Sequence, residues 1–300
     1  MLGDRTVHRL EGGAVMAEWG PMRLVISSFV GKIPQREMNL RAAETAFDCL
    51  EEVARLDQRL RKPWPEIARQ PTEPLGGKML ESVRLVGDTF LTPMAAVAGT
   101  IADGVADFLF SRGMTKVIVN NGGDIAVRLM APNWVRVGLR ESVDRQEFLH
   151  AVSLRIPFGK AGAAFGIATS GLGGRSFTCG IASAATIIGK TASLADAAAT
   201  AVANASFVES PGVIRKSAET IDPQTDIPGT MVTVNVKGLD QRTRVKAVSQ
   251  SLELAERLME KGIILGAFVA VDGESGMTRF FSENLVSRER SREPWKSENM

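Results

Sequence analysis

The chain has 300 residues, 44% of them hydrophobic and 23% charged, with a formal net charge of +2 at pH 7. That is the balance of an ordinary globular protein able to bury a sizeable core, and it argues against a nucleic-acid partner, since no basic run is interleaved with aromatics. No run of about 18 consecutive apolar residues marks a membrane span, and the two histidines, His8 and His150, have no metal-spaced partner, which argues against a zinc centre or a Ser-His-Asp triad.

The N-terminus, "MLGDRTVHRLEGG", carries charges where a signal peptide would have its apolar region. Cys49 and Cys179 are too few and too distant for a disulfide framework. Both features point to a reduced, cytoplasmic protein. "TVHRLEGG", "AVMAEWG" and "MRLVISSFV" read as short strands cut by glycine and proline. A helix is expected over residues 37–61, where Ala43, Phe47, Leu50, Ala54 and Leu60 recur near helical spacing. "KPWPEIARQPTEPLGGK" reads as a connecting loop. A second helix is expected over 93–111, with Thr92 as N-cap, Pro93 at the first position and Gly113 as the stop.

Strands are expected at 115–120, 124–130, 134–140, 148–156, 163–169 and 183–188. An alanine-rich helix follows at 193–204, then a strand at 230–236, a helix at 243–261 and a buried strand in "IILGAFVAVDG". The final residues, 286–300, are charged and poor in apolar side chains and read as a loose tail after a folded unit over 1–285. Strands outnumber helices and often follow one another directly. That predicts an α+β fold with a largely antiparallel sheet and packed helices.

Three stretches carry candidate chemistry. "VIVNNGGDIAV" holds Asn120, Asn121, Gly122, Gly123 and Asp124 between two apolar runs. Asn-Gly there is a strong hairpin signal, yet two glycines also let a ligand approach the backbone, whose N–H groups can cradle phosphate. "GIATSGLGGRS" sets Thr169, Ser170 and Gly171 at a strand end, with Arg175 close behind, and reads either as a flexible turn or as a donor-rich wall. Arg175 suits a phosphate or carboxylate, or is simply a surface arginine. In "SLADAAATAVANA", Asp196 and Thr200 project from one side of a helix. They are hard oxygen ligands suited to Mg²⁺; alternatively Asp196 answers the helix dipole and Thr200 bonds back to its carbonyl.

These stretches, in this order, resemble the ApbE-like flavin transferase superfamily. Its pattern is an alanine- and glycine-rich helix start, then N-x-G-G-D-I, A-T-S-G and A-D-A-x-x-T. The chain has "PMAAVAGTIAD" at 93–103, "NNGGDI" at 120–125, "ATSG" at 168–171 and "ADAAAT" at 195–200. The resemblance implies a single ApbE-like domain and a Mg²⁺-assisted site for a phosphorylated nucleotide. Members of known activity move FMN from FAD to a threonine or serine of a target protein and release AMP. By the same resemblance Asp196, Thr200 and a backbone carbonyl near Ala98 match the metal ligands, FAD or FMN is the cofactor, and the "NNGGDI" and "ATSG" loops wall the nucleotide site. The chain departs from the transferases in two places. Ala98-Gly99-Thr100 stands where they carry A-K-G, and no histidine lies between Gly171 and Asp196. "IDPQTDIP" at 221–228 comes after the aspartate helix, out of the family's order. The alternative is an enzyme or binding protein for another small anionic ligand on the same scaffold, with Arg175 as anchor.

Overall fold

The computed structural model describes residues 3–142, 150–155 and 163–286; the tail expected over 286–300 lies, after Val286, outside them. The chain begins with strands β1 (Thr6–Arg9), β2 (Val15–Trp19), β3 (Met22–Val30) and the two-residue β4 (Ile33–Pro34). Helices α1 (Arg36–Arg55), α2 (Asp57–Leu60), α3 (Pro74–Val86) and α4 (Val97–Phe110) follow, and then β5 (Lys116–Asn121), β6 (Asp124–Leu129), β7 (Trp134–Leu139), β8 (His150–Arg155), β9 (Ala163–Ser170) and β10 (Ala184–Gly189). After α5 (Ala192–Ala205) come β11 (Val213–Ser217), β12 (Met231–Val236), α6 (Gln241–Glu260), β13 (Ile264–Val271), β14 (Glu274–Met277), α7 (Arg279–Asn284) and β15 (Leu285–Val286).

The main sheet runs β1-β2-β3-β5-β6-β9-β10-β13-β14, with β4 beside β3. Strands β11 and β12 form a ribbon, and β15-β8-β7 form a small second sheet. Every pairing among the described residues is antiparallel. The fold is therefore α+β, as the strand-rich pattern predicts.

Side chains alternate across a strand, and here both faces of the sheet are covered. Along β6, Ala126 joins the core under the helices, while Val127 and Leu129 join a second cluster with Phe165, Ile167, Phe268 and Phe281. That second cluster also takes Val135, Val137 and Leu139 of β7, so the small sheet backs the large one. Strand β10 is buried throughout, as expected of a strand covered on both sides.

The helix side is built from apolar stripes. Helix α1 buries Ala42, Ala43, Ala46, Phe47, Leu50 and Val53, and it ends sooner than its periodicity predicts. At Leu56 the backbone leaves helical geometry (φ −98, ψ 0), and the short α2 takes over. Residues 93–110 are apolar enough to cross a membrane by length and composition, with mean hydropathy 1.3. Instead Ile101, Ala102, Val105, Ala106 and Leu109 pack in the core.

Helix α3 is the element the sequence hides. Pro74 occupies its first turn, where a missing N–H costs nothing, and Gly87 stops it with φ 82. Gly76 inside it permits close packing: a Cβ there would sit 2.5 Å from Leu56 Cδ1. The glycines and prolines that read as a loop are a helix start and a packing seam.

Candidate functional site

Helices α4 and α5 cap each other. Asp103, on the second turn of α4, accepts hydrogen bonds from the first amides of α5: Ala192 N at 3.1 Å and Ser193 N at 3.0 Å. Asp196, on the second turn of α5, accepts from Gly99 N near the start of α4 at 2.9 Å. Helix N-termini leave amides unpaired, and a carboxylate there is favoured by the dipole. Gly99 makes the approach possible, since a Cβ would fall 2.2 Å from Ala192 O. Gly166 of β9 seats α5 in the same way, its Cβ position lying 2.2 Å from Ala192 Cα.

The two capping carboxylates live in opposite electrostatic settings. Asp103 is fully buried, 3.0 Å from Lys78 Nζ and 2.9 Å from Arg128 Nη2. Burial pushes its pKa up, but Lys78, Arg128 and the Ser193 amide outweigh it and hold the carboxyl below its usual range. Asp196 has no such cation. Burial, and then the charge of Asp124, push its pKa well above the usual carboxylate value, against the amides of Gly99 and Ala98. Burial also raises Asp124, to about 7, with Arg175 pulling the other way. Both residues nevertheless keep part of their surface open to solvent. Asp124 and Asp196 are thus two recessed carboxylates, the charge of the first opposing ionisation of the second.

The "NNGGDI" hairpin brings Asp124 there. Asn121 pairs with Asp124 across a two-residue turn with φ 68 at Gly122 and φ 116 at Gly123. Asn120 Oδ1 accepts from Gly123 N at 2.8 Å and fixes the turn. Strand alternation puts Asn121 on the helix side, where its Nδ2 donates to Ala98 O at 3.2 Å. Its Oδ1 is buried with no hydrogen-bond partner. A buried acceptor left unpaired costs roughly 1–3 kcal/mol, so this oxygen is one place at the corner where a donor or cation would be stabilising.

The second loop arrives through Arg175. Its guanidinium lies over the hairpin, with Nη1 2.7 Å from the place a Cβ on Gly122 would take, and it donates to Pro21 O. Gly171, with φ 149, fits where a Cβ would meet Ser183 O at 2.8 Å. Ser170 shares the helix side with Ala168. Thr169 turns to the other face, where its hydroxyl and that of Thr186 are 2.9 Å apart. Thr200 Oγ1 bonds back to Asp196 O at 3.3 Å. The back-bond weighed against a metal role is therefore present, and the helix-dipole reading of Asp196 becomes a cap on a neighbouring helix.

So the structure brings together Asn121, Gly122, Asp124, Arg175, Ala98 and Asp196, which come from four separate segments. Sequence reading passed over Asp103, Lys78 and Arg128, although Asp103 closes the quoted "PMAAVAGTIAD" stretch. It also passed over a buried hydroxyl chain, in which Ser193 Oγ lies 2.7 Å from Ser82 Oγ and 2.6 Å from Thr100 Oγ1. The out-of-order "IDPQTDIP" stretch packs beside the start of the 93–110 segment, where Thr92 Oγ1 donates to Asp226 and Arg61 donates to Gln224 O.

The family model described as AbpE bacteria matches residues 6–277. The chain belongs to this ApbE-like family. The match spans the helix pair, the hairpin and both loops of the cleft. Among curated relatives, the chain is 41% identical over 134 residues to the UPF0280 protein MK0206 of Methanopyrus kandleri, covering 44% of this chain and 51% of that one. It is 35% identical over 147 residues to the UPF0280 protein MJ1526 of Methanocaldococcus jannaschii, covering 48% and 57%. The chain spans about half the length of the curated relatives it matches. Among solved structures, the ApbE protein of Thermotoga maritima aligns over 95% of this chain and 100% of its own, at 13% identity and TM-score 0.47. The apo flavinyl transferase ApbE of Pseudomonas stutzeri aligns over 95% and 98%, at 15% identity and TM-score 0.43.

Proposed function

We propose that this ApbE-like cleft binds a phosphorylated nucleotide together with Mg²⁺, with a flavin dinucleotide as the favoured ligand. The observation that carries the reading is that Asp196, capping Gly99 N, and Asn121 of the hairpin, bonded to Ala98 O, bring α5, α4 and the hairpin to one corner. Burial and the charge of Asp124 raise the Asp196 pKa, and a divalent ion there would favour its ionised form.

The donor set fits Mg²⁺. Asp196 supplies a carboxylate and Thr200 a hydroxyl, beside the Ala98 backbone carbonyl to which Asn121 donates. These are hard oxygens, and Mg²⁺ commonly takes one or two carboxylates and fills its remaining positions with water and substrate phosphate. Among the described residues no cluster of three His, Cys, Asp or Glu competes for the ion. The bound ion would neutralise charge on the phosphoryl group. The chain's own contribution is positional. Arg175, over the Gly122–Gly123 turn, would supply positive charge to an anion, and Asn121 holds α4 against the hairpin.

A second reading, binding or a different reaction of a small anionic ligand, is favoured by the departures from the transferase pattern: Ala98-Gly99-Thr100 stands where the transferases carry A-K-G, and no histidine lies between Gly171 and Asp196. Calorimetric titration with FAD, FMN and ADP, each with and without Mg²⁺, tests the first reading. It expects Mg²⁺-dependent binding of a diphosphate ligand; identical isotherms with Mg²⁺ and with excess chelator refute it. Incubation with FAD and a hydroxyl-bearing acceptor protein, read by mass, separates transfer from binding.

A further inference from the structure

Helix α3 reaches the seam between α4 and α5 with two side chains one turn apart on one of its faces, Lys78 and Ser82. Lys78 Nζ stands 3.0 Å from Asp103 Oδ2. Ser82 Oγ lies 2.7 Å from Ser193 Oγ, which is also 2.6 Å from Thr100 Oγ1. Three helices thus meet at the first turn of α5.

Asp103 is the hub of this junction. Its Oδ1 accepts from Ala192 N and Arg128 Nη2, and its Oδ2 from Ser193 N and Lys78. An ionised carboxylate has about four lone-pair sites, so this one is filled. The two cations are not equivalent. Arg128 is shared with Asp107, 2.7 Å from its Nε, whereas Asp103 is the one carboxylate that Lys78 reaches among the described residues. The Lys78 side chain is 30% exposed, so its charge comes to the buried Asp103 from the surface.

The amides that Asp103 holds, those of Ala192 and Ser193, stand one turn before Asp196. Ala192 O is the atom that a Cβ on Gly99 would strike at 2.2 Å, so α4 and α5 meet backbone to backbone. Close-packed interiors transmit strain, and a shift of Ala192 is passed to Gly99, whose N–H donates to Asp196. An electrostatic link runs in parallel. Burial and Asp124 raise the Asp196 pKa most, and the charge of Asp103 adds to them. Lys78 offsets that charge.

We propose that Lys78 is a positioning residue for the Asp196 corner: its ammonium holds Asp103 on the first amides of α5, and the α4–α5 seam carries that hold to the Asp196 carboxylate. The proposal rests on the reading of Asp196 as a metal ligand. It makes that ligand depend on α3, an element that contributes nothing to the cleft motifs.

Lys78→Met keeps an unbranched stem and removes the charge, while Asp103 retains Arg128; Lys78→Arg keeps the charge. Amide hydrogen exchange followed by NMR reads the hold without any ligand. In Lys78→Met the Ser193 and Gly99 amides should exchange at least about tenfold faster, with the amide of Val119 in mid-sheet unchanged. Lys78→Arg should restore the wild-type rates. Calorimetry should show Mg²⁺-dependent ADP binding at least about fivefold weaker in Lys78→Met and within about twofold of wild type in Lys78→Arg. Equal acceleration at all three amides would make Lys78 a source of overall stability and overturns the proposal. So do unchanged rates at Ser193 and Gly99, failure of Lys78→Arg to restore them, or wild-type Mg²⁺-dependent binding in Lys78→Met. If the wild type binds ADP identically with Mg²⁺ and with chelator while the exchange pattern holds, the phosphate reading falls and the hold of Lys78 on Asp196 stands.

Discussion

At the scale of single residues, Asp103 and Asp196 do the same backbone job with opposite electrostatics, and substitution should separate them. Asp196→Asn keeps an acceptor for Gly99 N and removes a charge that repels Asp124. The apo protein should therefore melt at the same temperature or higher, while Mg²⁺-dependent nucleotide binding falls at least about tenfold, ~1.4 kcal/mol. A parallel loss of melting temperature and binding would make Asp196 a structural cap only. Asp103→Asn should do the reverse. It takes one of two carboxylates from buried Arg128, which keeps Asp107 at 2.7 Å, and leaves Lys78 without its carboxylate; the loss should stay below the ~3–5 kcal/mol of breaking a buried pair outright. The pH dependence follows from the sign of the shift. Asp103 is held below the ordinary value of 3.8 in the folded state. Its stabilisation is thus fully present above that value and is lost as pH falls through the folded pKa. Urea midpoints of the wild type should drop on acidification below about pH 4 more steeply than those of Asp103→Asn; parallel curves would remove Asp103 from the account.

At the scale of elements, the seam between α4 and α5 decides whether the cleft exists. Alanine is about 1 kcal/mol better than glycine in a helix interior, so Gly→Ala is stabilising where space allows. At Gly99 the new Cβ would meet a backbone oxygen at 2.2 Å, which no rotamer relieves. Gly99→Ala should cost a net ~1–3 kcal/mol by overpacking and should weaken Mg²⁺-dependent binding, because the shift moves Asp196. Gly104→Ala on the same helix is the control. Its Cβ would meet Cys49 Sγ at 3.3 Å, a side-chain atom, and the change should be near neutral by chemical denaturation. This seam also shows what sequence could and could not reveal. The hairpin was legible because asparagine and glycine report positive φ locally, and the alanine-rich α5 was legible from composition. Helix α3 was not, because Gly76 and Gly77 serve contacts with distant residues and mimic a loop. Asp103 was read as part of a motif without a role, since its partners Lys78, Arg128 and Ala192 come from three remote segments. The convergence of "NNGGDI", "ATSG" and the start of the 193–204 helix was expected from the resemblance, with Arg175 as an alternative anchor; no local pattern in any one stretch contains it.

At the scale of the whole molecule, the question is whether the layers unfold together. The core under the helices and the second cluster behind the sheet share the same strands, β6, β9, β10 and β13, on their two faces. Melting either layer exposes one face of strands whose hydrogen bonds hold the other, so neither has a stable sheet without its neighbour. The chain from β1 to α7 should then unfold in one transition. Trp19, packed edge-on against Phe47 with ring centroids 6.0 Å apart, and Trp64, bonded to Asp88 O at 2.9 Å, report the helix side. Trp134 of β7 reports the small sheet. With the other tryptophans replaced by phenylalanine, a Trp134-only and a Trp19-only variant should give urea transitions that coincide with each other and with far-ultraviolet circular dichroism. Separate midpoints, with the Trp134 signal changing first, would show that the small sheet is an independent layer and that the cleft needs only the helices and the large sheet.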